Sequence, residues 1–176
     1  PTKTMIASAR IAHLVSRASD YGIAVSGWKM DLARVIERKQ QVGESFRKPS
    51  EKSLENTENL DFYRGTARFT DPETVEITGH SSEKTVIAGE VIIIDTGTRP
   101  HIPPIKGINT INYLDSTSIM TLEELPEHLM IVGGGYIGME FGQMFRRFGS
   151  QVSIIQRGDQ LLSREDQDVA DEIDTI

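Results

Sequence analysis

The chain has 176 residues, 38% of them hydrophobic and 26% charged, with a formal net charge of -7 and no cysteine. That balance suits a soluble globular protein, offers no basic field for nucleic acid, and leaves no apolar stretch near the roughly 18 residues of a membrane span. No thiolate metal site or disulfide framework can be built from it, and without a signal-peptide h-region a cytoplasmic protein is the expectation.

The opening "PTKTMIASARIAHL" has a proline in place of an initiator methionine. Proline fits the first turn of a helix, and Met5, Ile6, Ala9 and Leu14 supply an apolar side. From Asp31 a second amphipathic helix is expected through Leu32, Val35, Ile36, Val42 and Phe46, its pattern weakening around Pro49. The stretches "FYRGTARF", "TVEITG" and "KTVIAG" read as a small strand meander between Asp61 and Glu90. Val91 to Ile94 form a continuous apolar run, which predicts a strand covered on both faces, and "DTGTRP" follows as a turn.

A domain boundary is placed near Asn112, after which a connecting segment carries a short helix around Ser118 to Leu125. Leu129 to Val132 is then a strand, "GGGYIG" a turn, Met139 to Phe148 a helix and Val152 to Ile155 a second strand, which makes a βαβ unit. A last helical pattern runs from Asp166 to Ile176, although an open parallel sheet needs more strands to bury its faces. His13, His80, His101 and His128 lack ligand spacing, and no metal site is assigned.

Gly133, Gly135 and Gly138 stand in G-x-G-x-x-G spacing directly after the first strand and at the opening of the helix. Gly133 lets the chain turn tightly, Gly135 lets the backbone approach a pyrophosphate, and Gly138 lets helix and strand pack closely. The helix N-terminus offers amides and partial positive charge to phosphates, so dinucleotide binding is expected. The second strand ends in Gln156 and Arg157 in place of an acidic residue. Glutamine can bond a ribose hydroxyl without repelling a 2′-phosphate, and Arg157 either pairs with that phosphate or points into water. The pair leans toward NADP or dual use over strict NAD selection.

"PTKT", "IIIDTGTRPHIPPIKGI" and "IVGGGYIGMEFGQMF", in this order and spacing, resemble the flavin-dependent class I pyridine nucleotide-disulfide oxidoreductases, most closely their mercuric-reductase-like branch. The resemblance covers essentially the whole chain. It implies an α/β fold of two Rossmann-like domains, both incomplete here, with an inserted β-meander: part of an FAD domain in residues 1–112 and the first half of an NAD(P) domain in 113–176. It further implies that a redox-active cysteine pair and the FAD-binding βαβ unit precede Pro1. A dimerisation domain would follow, so the parent is expected to be a homodimer.

The same resemblance matches Lys3 to a lysine beside the flavin N5 edge and Glu140 to the glutamate that pairs with it. The residues alone would make Lys3 a solvated lysine and Glu140 an anion favoured by the helix dipole. Tyr136 matches a tyrosine that in several relatives covers the flavin, against the alternative of a surface or packing residue, and Ile137 joins the cofactor-binding set. Thr96 and Gly97 resemble the turn where the chain leaves the buried strand close to FAD, with Asp95 departing from the usual alanine, and Ala67 matches the residue whose backbone meets the adenine. The implied cofactors are FAD and NADP or NAD, and the implied acceptor is a mercuric or other metal ion. Dihydrolipoamide is the runner-up acceptor, and a non-catalytic nucleotide-binding module is the alternative of another class.

Overall fold

The computed structural model describes residues 1–175, and the last position of the expected final helix, Ile176, lies outside them. The chain packs into two compact units, Pro1–Glu44 with the chain from Ile102 onward, and Ser45–His101. These units are defined by packing, whereas the division near Asn112 is defined by the cofactor each side is expected to bind.

In the first unit helix α1 spans Thr2–Ser16, and Pro1 accepts its first bonds from the amides of Thr4 and Met5 at 3.1 and 3.3 Å. Met5, Ala9 and Ala12 form its buried face. Leu14, expected on that face, is exposed. It lies nine residues beyond Met5, about two and a half turns at 3.6 residues per turn, and so on the opposite side. Helix α2 spans Leu32–Glu55, and Asp31 caps it by accepting the Arg34 amide at 3.1 Å. Leu32 and Ile36 are its buried residues.

Helix α2 runs through Pro49, where the sequence pattern weakens. Proline removes one backbone donor, and side-chain bonds brace the turns around it. Ser50 donates to the Phe46 carbonyl at 2.9 Å, while Arg64 meets Glu51 at 3.3 Å and Glu55 at 2.7 Å. Both acids sit on the last turns, so one guanidinium spans them.

The second unit contains the expected meander: β1 Thr66–Asp71, β2 Thr74–Thr78 and β3 Lys84–Ala88, antiparallel in the order β1-β2-β3. Ala67 faces Ile77 across β1 and β2, and Ile77 is the buried residue of the central strand. The Glu76 carboxylate lies between Arg68 at 2.7 Å and Lys84 at 3.3 Å. Val91 to Ile94 form no strand, and Val91, Ile93 and Ile94 are exposed. Among the described residues no strand runs beside them, and an apolar run without a neighbour has nothing to take its backbone bonds.

Past Ile102 the first unit resumes with short 3-10 turns at Ile108–Thr110 and Ser118–Thr121. The second replaces the longer helix expected to Leu125: it ends where Leu122 turns extended, four residues before Pro126. Asp115 holds its start by accepting the amides of Thr117 and Ser118 at 2.9 and 2.7 Å, and Lys39 donates to the Met120 carbonyl at 2.7 Å.

The βαβ unit then follows as β4 His128–Val132, α3 Tyr136–Phe148 and β5 Gln151–Ile155, the strands parallel with Val132 opposite Ile155. Helix α3 buries Phe141, Met144, Phe145 and Phe148 in a core shared with Met5, Ala9 and Ala12 of α1, Leu32 and Ile36 of α2, Ile119 and Leu129. Phe145 and Phe148 meet edge to face, 5.9 Å between centroids. Gly149, at φ 117°, ends the helix, and the next residue, fully buried Ser150, donates its hydroxyl to the Pro126 carbonyl at 2.6 Å. Helix α4, Gln167–Asp174, follows.

Hydrogen bonding from Arg68, followed by that from Lys84, holds the Glu76 carboxyl below its ordinary range. A carboxylate depressed in the folded state stabilises above its unfolded pKa and loses that contribution as pH falls through the depressed value. The meander is therefore expected to lose amide-exchange protection on acidification below the ordinary glutamate range, and Glu76→Gln to flatten that dependence. Identical pH profiles for the two proteins would remove the Glu76 cluster as the cause.

Candidate functional site: the glycine turn between β4 and α3

The turn from β4 into α3 occupies residues 133–135. Its first residue, Gly133, has φ 110°, a backbone that side chains rarely adopt, and its amide donates to the Ile155 carbonyl at 2.9 Å. The end of β5 is thereby tied to the turn. A Cβ on Gly138 would press into the Gly133 carbonyl oxygen and lie 3.2 Å from Ile131 Cγ2. Glycine at this position is what lets the first turn of α3 lie against the strand that precedes it.

Gly135 is different. Its φ is -80°, and a Cβ there would meet nothing within 4 Å. Neither backbone strain nor a protein neighbour demands glycine here, which leaves open space for a group that is not part of the chain. The amides of Gly135, Tyr136, Ile137 and Gly138 have no acceptor among the described residues, while Met139 closes the first helical bond onto the Gly135 carbonyl at 3.0 Å. Unpaired donors at a helix N-terminus, next to an open glycine, suit a phosphate.

Gln156, on the residue after β5, is brought into this group. It accepts the Gly134 amide at 3.0 Å and donates to the Gln160 carbonyl at 3.3 Å. The Leu162 amide donates to the Gly134 carbonyl at 2.8 Å. The loop after β5 thus lies against the turn through Gly134, Gln160 and Leu162, none of which the motif spacing singles out. Leu162 holds φ 49° without being glycine, so no residue type announces its conformation. Arg157 is exposed beside Gln156, and Tyr136 and Ile137 are exposed at the start of α3.

Lys3 lies on the first turn of α1 and Glu140 on α3, the two helices sharing one core. Both residues are exposed, and no ion pair within 4.0 Å joins them among the described residues, so the pairing implied by the resemblance is not made here. Ala67, on β1, and Thr96 and Gly97, in the irregular segment after the meander, where among the described residues no backbone hydrogen bond closes the expected turn at 95–100, belong to the second unit. All three are exposed, and Gly97 has φ 68° with open space where a Cβ would stand.

Gly138→Ala is expected to weaken nucleotide binding at least tenfold, because its methyl group meets backbone that cannot move without shifting the start of α3. Gly142→Ala is the contrast, since its nearest neighbours are side-chain ends of Ile131, Ile154 and Val152 at 3.3 to 3.5 Å. Titration of both variants with NADPH, read by fluorescence, checks this. Equal affinities would show that the Gly138 contact does not hold the site.

A family model described as pyridine nucleotide-disulphide oxidoreductase matches residues 1–176. Mercuric reductase of Lysinibacillus sphaericus is 32% identical over 174 residues, covering 99% of this chain and 31% of the relative. The probable pyridine nucleotide-disulfide oxidoreductase RclA of Escherichia coli (strain K12) is 43% identical over 148 residues, 83% of this chain and 33% of the relative. A dihydrolipoyl dehydrogenase of Bacillus subtilis is 28% identical over 184 residues, 100% of this chain and 39% of the relative. Among solved structures, the Cu(II) complex of the HOCl-induced flavoprotein disulfide reductase RclA from Escherichia coli gives a TM-score of 0.83 at 37% identity, over 99% of this chain and 36% of that one. The chain spans about a third of the length of the curated relatives it matches. With the βαβ unit and its glycine turn in the α/β arrangement of a Rossmann-like reductase, the chain belongs to the pyridine nucleotide-disulphide oxidoreductase family.

Proposed function

We propose that the protein carrying this chain is a flavoenzyme that takes a hydride from NAD(P)H and delivers electrons through FAD and a redox-active disulfide to a metal-ion acceptor. The observation that carries the nucleotide half is the set of unpaired amides from Gly135 to Gly138 beside the open face of Gly135. In this reading residues 113–176 serve the nicotinamide nucleotide and residues 1–112 serve FAD, with Ala67, Thr96 and Gly97 as backbone contacts. FAD, when bound, supplies the two-electron chemistry that side chains lack.

The chain's own part is to bind and orient. The α3 amides and helix dipole hold the pyrophosphate, while Gln156 and Arg157 lie at the strand end where a ribose is read in this fold. Arg157 supports acceptance of a 2′-phosphate, and hence of NADPH, because a guanidinium matches phosphate geometry. Lys3 places a cation at the N-terminal end of α1, where the family resemblance puts the flavin N5 edge. Tyr136, exposed on the first turn of α3, would shield the flavin until a nicotinamide displaces it. This chain has no cysteine, so the disulfide step falls to residues outside it. The homodimer of the whole protein is supported by the family resemblance. A cytoplasmic location is part of the same proposal, and among the described residues no helix is long and apolar enough to cross a membrane.

A metal ion is the first choice of acceptor because mercuric reductases, at 32 to 33% identity, stand above dihydrolipoyl dehydrogenases, at 28 to 31%, and a solved structure of RclA is a Cu(II) complex. Dihydrolipoamide is the second reading, supported by dihydrolipoyl dehydrogenases among the relatives at up to 31% identity. With the full-length flavoprotein, NADPH oxidation is expected to be faster with mercuric ion than with lipoamide, measured as loss of nucleotide absorbance. A faster rate with lipoamide would reverse the assignment, and a colourless full-length protein would end the flavoenzyme reading. In the same protein Lys3→Met is expected to slow flavin reduction by NADPH at least tenfold in stopped-flow bleaching. Unchanged bleaching would take Lys3 out of the reaction.

A further inference from the structure

We propose that Gln156 is a positioning residue, an amide clamp that fixes the glycine turn to the loop after β5 and so sets the cradle for the nucleotide without itself reading the ribose. The inference rests on the nucleotide-binding reading above. Both functional ends of the Gln156 amide are committed within the chain: its oxygen accepts the Gly134 amide at 3.0 Å and its nitrogen donates to the Gln160 carbonyl at 3.3 Å. An N–H on one side and a carbonyl on the other dictate which end of the amide faces which, because the reverse orientation would oppose two donors and two acceptors. The side chain is half-buried and Gly134 is buried, so these bonds are sheltered from competing water.

A second bond completes the clamp. The Leu162 amide donates to the Gly134 carbonyl at 2.8 Å, so Gly134 is held from both its donor and its acceptor by one loop. That loop is braced in turn: Glu165 donates to the Leu162 carbonyl at 2.7 Å, and Gln160 donates its side-chain amide to the Glu165 carbonyl at 2.8 Å. The left-handed backbone of Leu162, φ 49°, persists because the bonds on either side of it over-determine its position. The first open residue of the phosphate site, Gly135, follows Gly134 directly. Any loosening of Gly134 is passed to the amides that face the pyrophosphate.

Glutamine is suited to this task and a carboxylate is not. Glutamate keeps an acceptor for Gly134 but faces the Gln160 carbonyl with a second oxygen, so the loop loses its tie. Methionine has similar length and supplies neither bond.

A clamp and a direct ribose contact differ in what they do to two nucleotides. If Gln156 acts through Gly134, Gln156→Met in the full-length protein raises the KM for NADH and for NADPH alike, by roughly tenfold, with their ratio and kcat unchanged. In the nucleotide-free protein, the Gly134 and Leu162 amides of that variant exchange faster with deuterium than in wild type. Gln156→Glu keeps Gly134 protected while Gln160 to Leu162 exchange faster. A changed NADH to NADPH ratio in Gln156→Met, with amide exchange unaltered, would overturn the clamp in favour of direct ribose contact. If wild type binds neither nucleotide, the functional reading falls, and wild-type exchange at Gly134 as fast as in Gln156→Met would remove the clamp as well.

Discussion

Helix α3 starts where it does because Gly138 has no side chain. The Gly133 carbonyl and Ile131 occupy the space a Cβ would need, so the helix lies directly on the strand that feeds it. From this approach the rest of the first unit follows. The turn at 133–135 can be short, the amides of residues 135–138 stay unpaired beside the open face of Gly135, and the strand pair β4 and β5 is covered on the face that carries Ile131, Val152 and Ile154. The second glycine contact, at Gly142, continues the close packing one turn further along. A larger residue at Gly138 would separate helix from sheet and spread the donors that a phosphate must meet together, whereas at Gly142 the side-chain ends of Ile131, Ile154 and Val152 can give way.

What was legible in the sequence was whatever is set by local pattern. The G-x-G-x-x-G spacing, the strands around it and the alternation in the meander each report on neighbours within a few residues, and β4, β5 and β1 to β3 form as expected, while α3 opens at Tyr136, three residues before the expected Met139, and takes the second half of the expected turn into its first helical turn. What was not legible depends on partners far along the chain. Leu14 looks apolar-sided only if the helical phase is ignored, and Val91 to Ile94 read as a covered strand although covering requires a neighbour that the pattern cannot supply. Pro49 weakens a helix locally, yet Arg64, well beyond the end of that helix, joins the turns that follow it. The commitment of Gln156 to Gly134 and Gln160 belongs to this class, since it spans 22 positions and uses a backbone amide that every residue possesses.

The candidate residues accordingly fall into two kinds. Gly133, Gly138 and Gln156 have roles that the chain's own contacts explain: a backbone angle, a close approach and a two-ended amide bond. Gly135, Tyr136, Ile137, Glu140, Lys3, Arg157, Ala67, Thr96 and Gly97 have side chains or open faces directed away from such contacts. The second kind is what a binding surface requires, because a residue already satisfied within the chain has little left to offer a ligand.

Along α3 the two kinds are segregated. Its first turns expose Tyr136, Ile137 and Glu140, and from Phe141 onward it buries Phe141, Met144, Phe145 and Phe148 in the core that also holds Met5, Ala9 and Ala12 of α1. Apart from the backbone contact at Gly138, the side chains at the N-terminal end are thus free of packing, while the rest anchors the helix against α1, whose first turn carries Lys3. A densely packed core transmits displacement more readily than it absorbs it, so the position of the unpaired amides at the start of α3 and the position of the Lys3 end of α1 are mechanically linked through the same phenylalanines. In the flavoenzyme proposed above, which would bring a nicotinamide and a flavin to one reacting distance, a shared core beneath both ends would help to hold that distance.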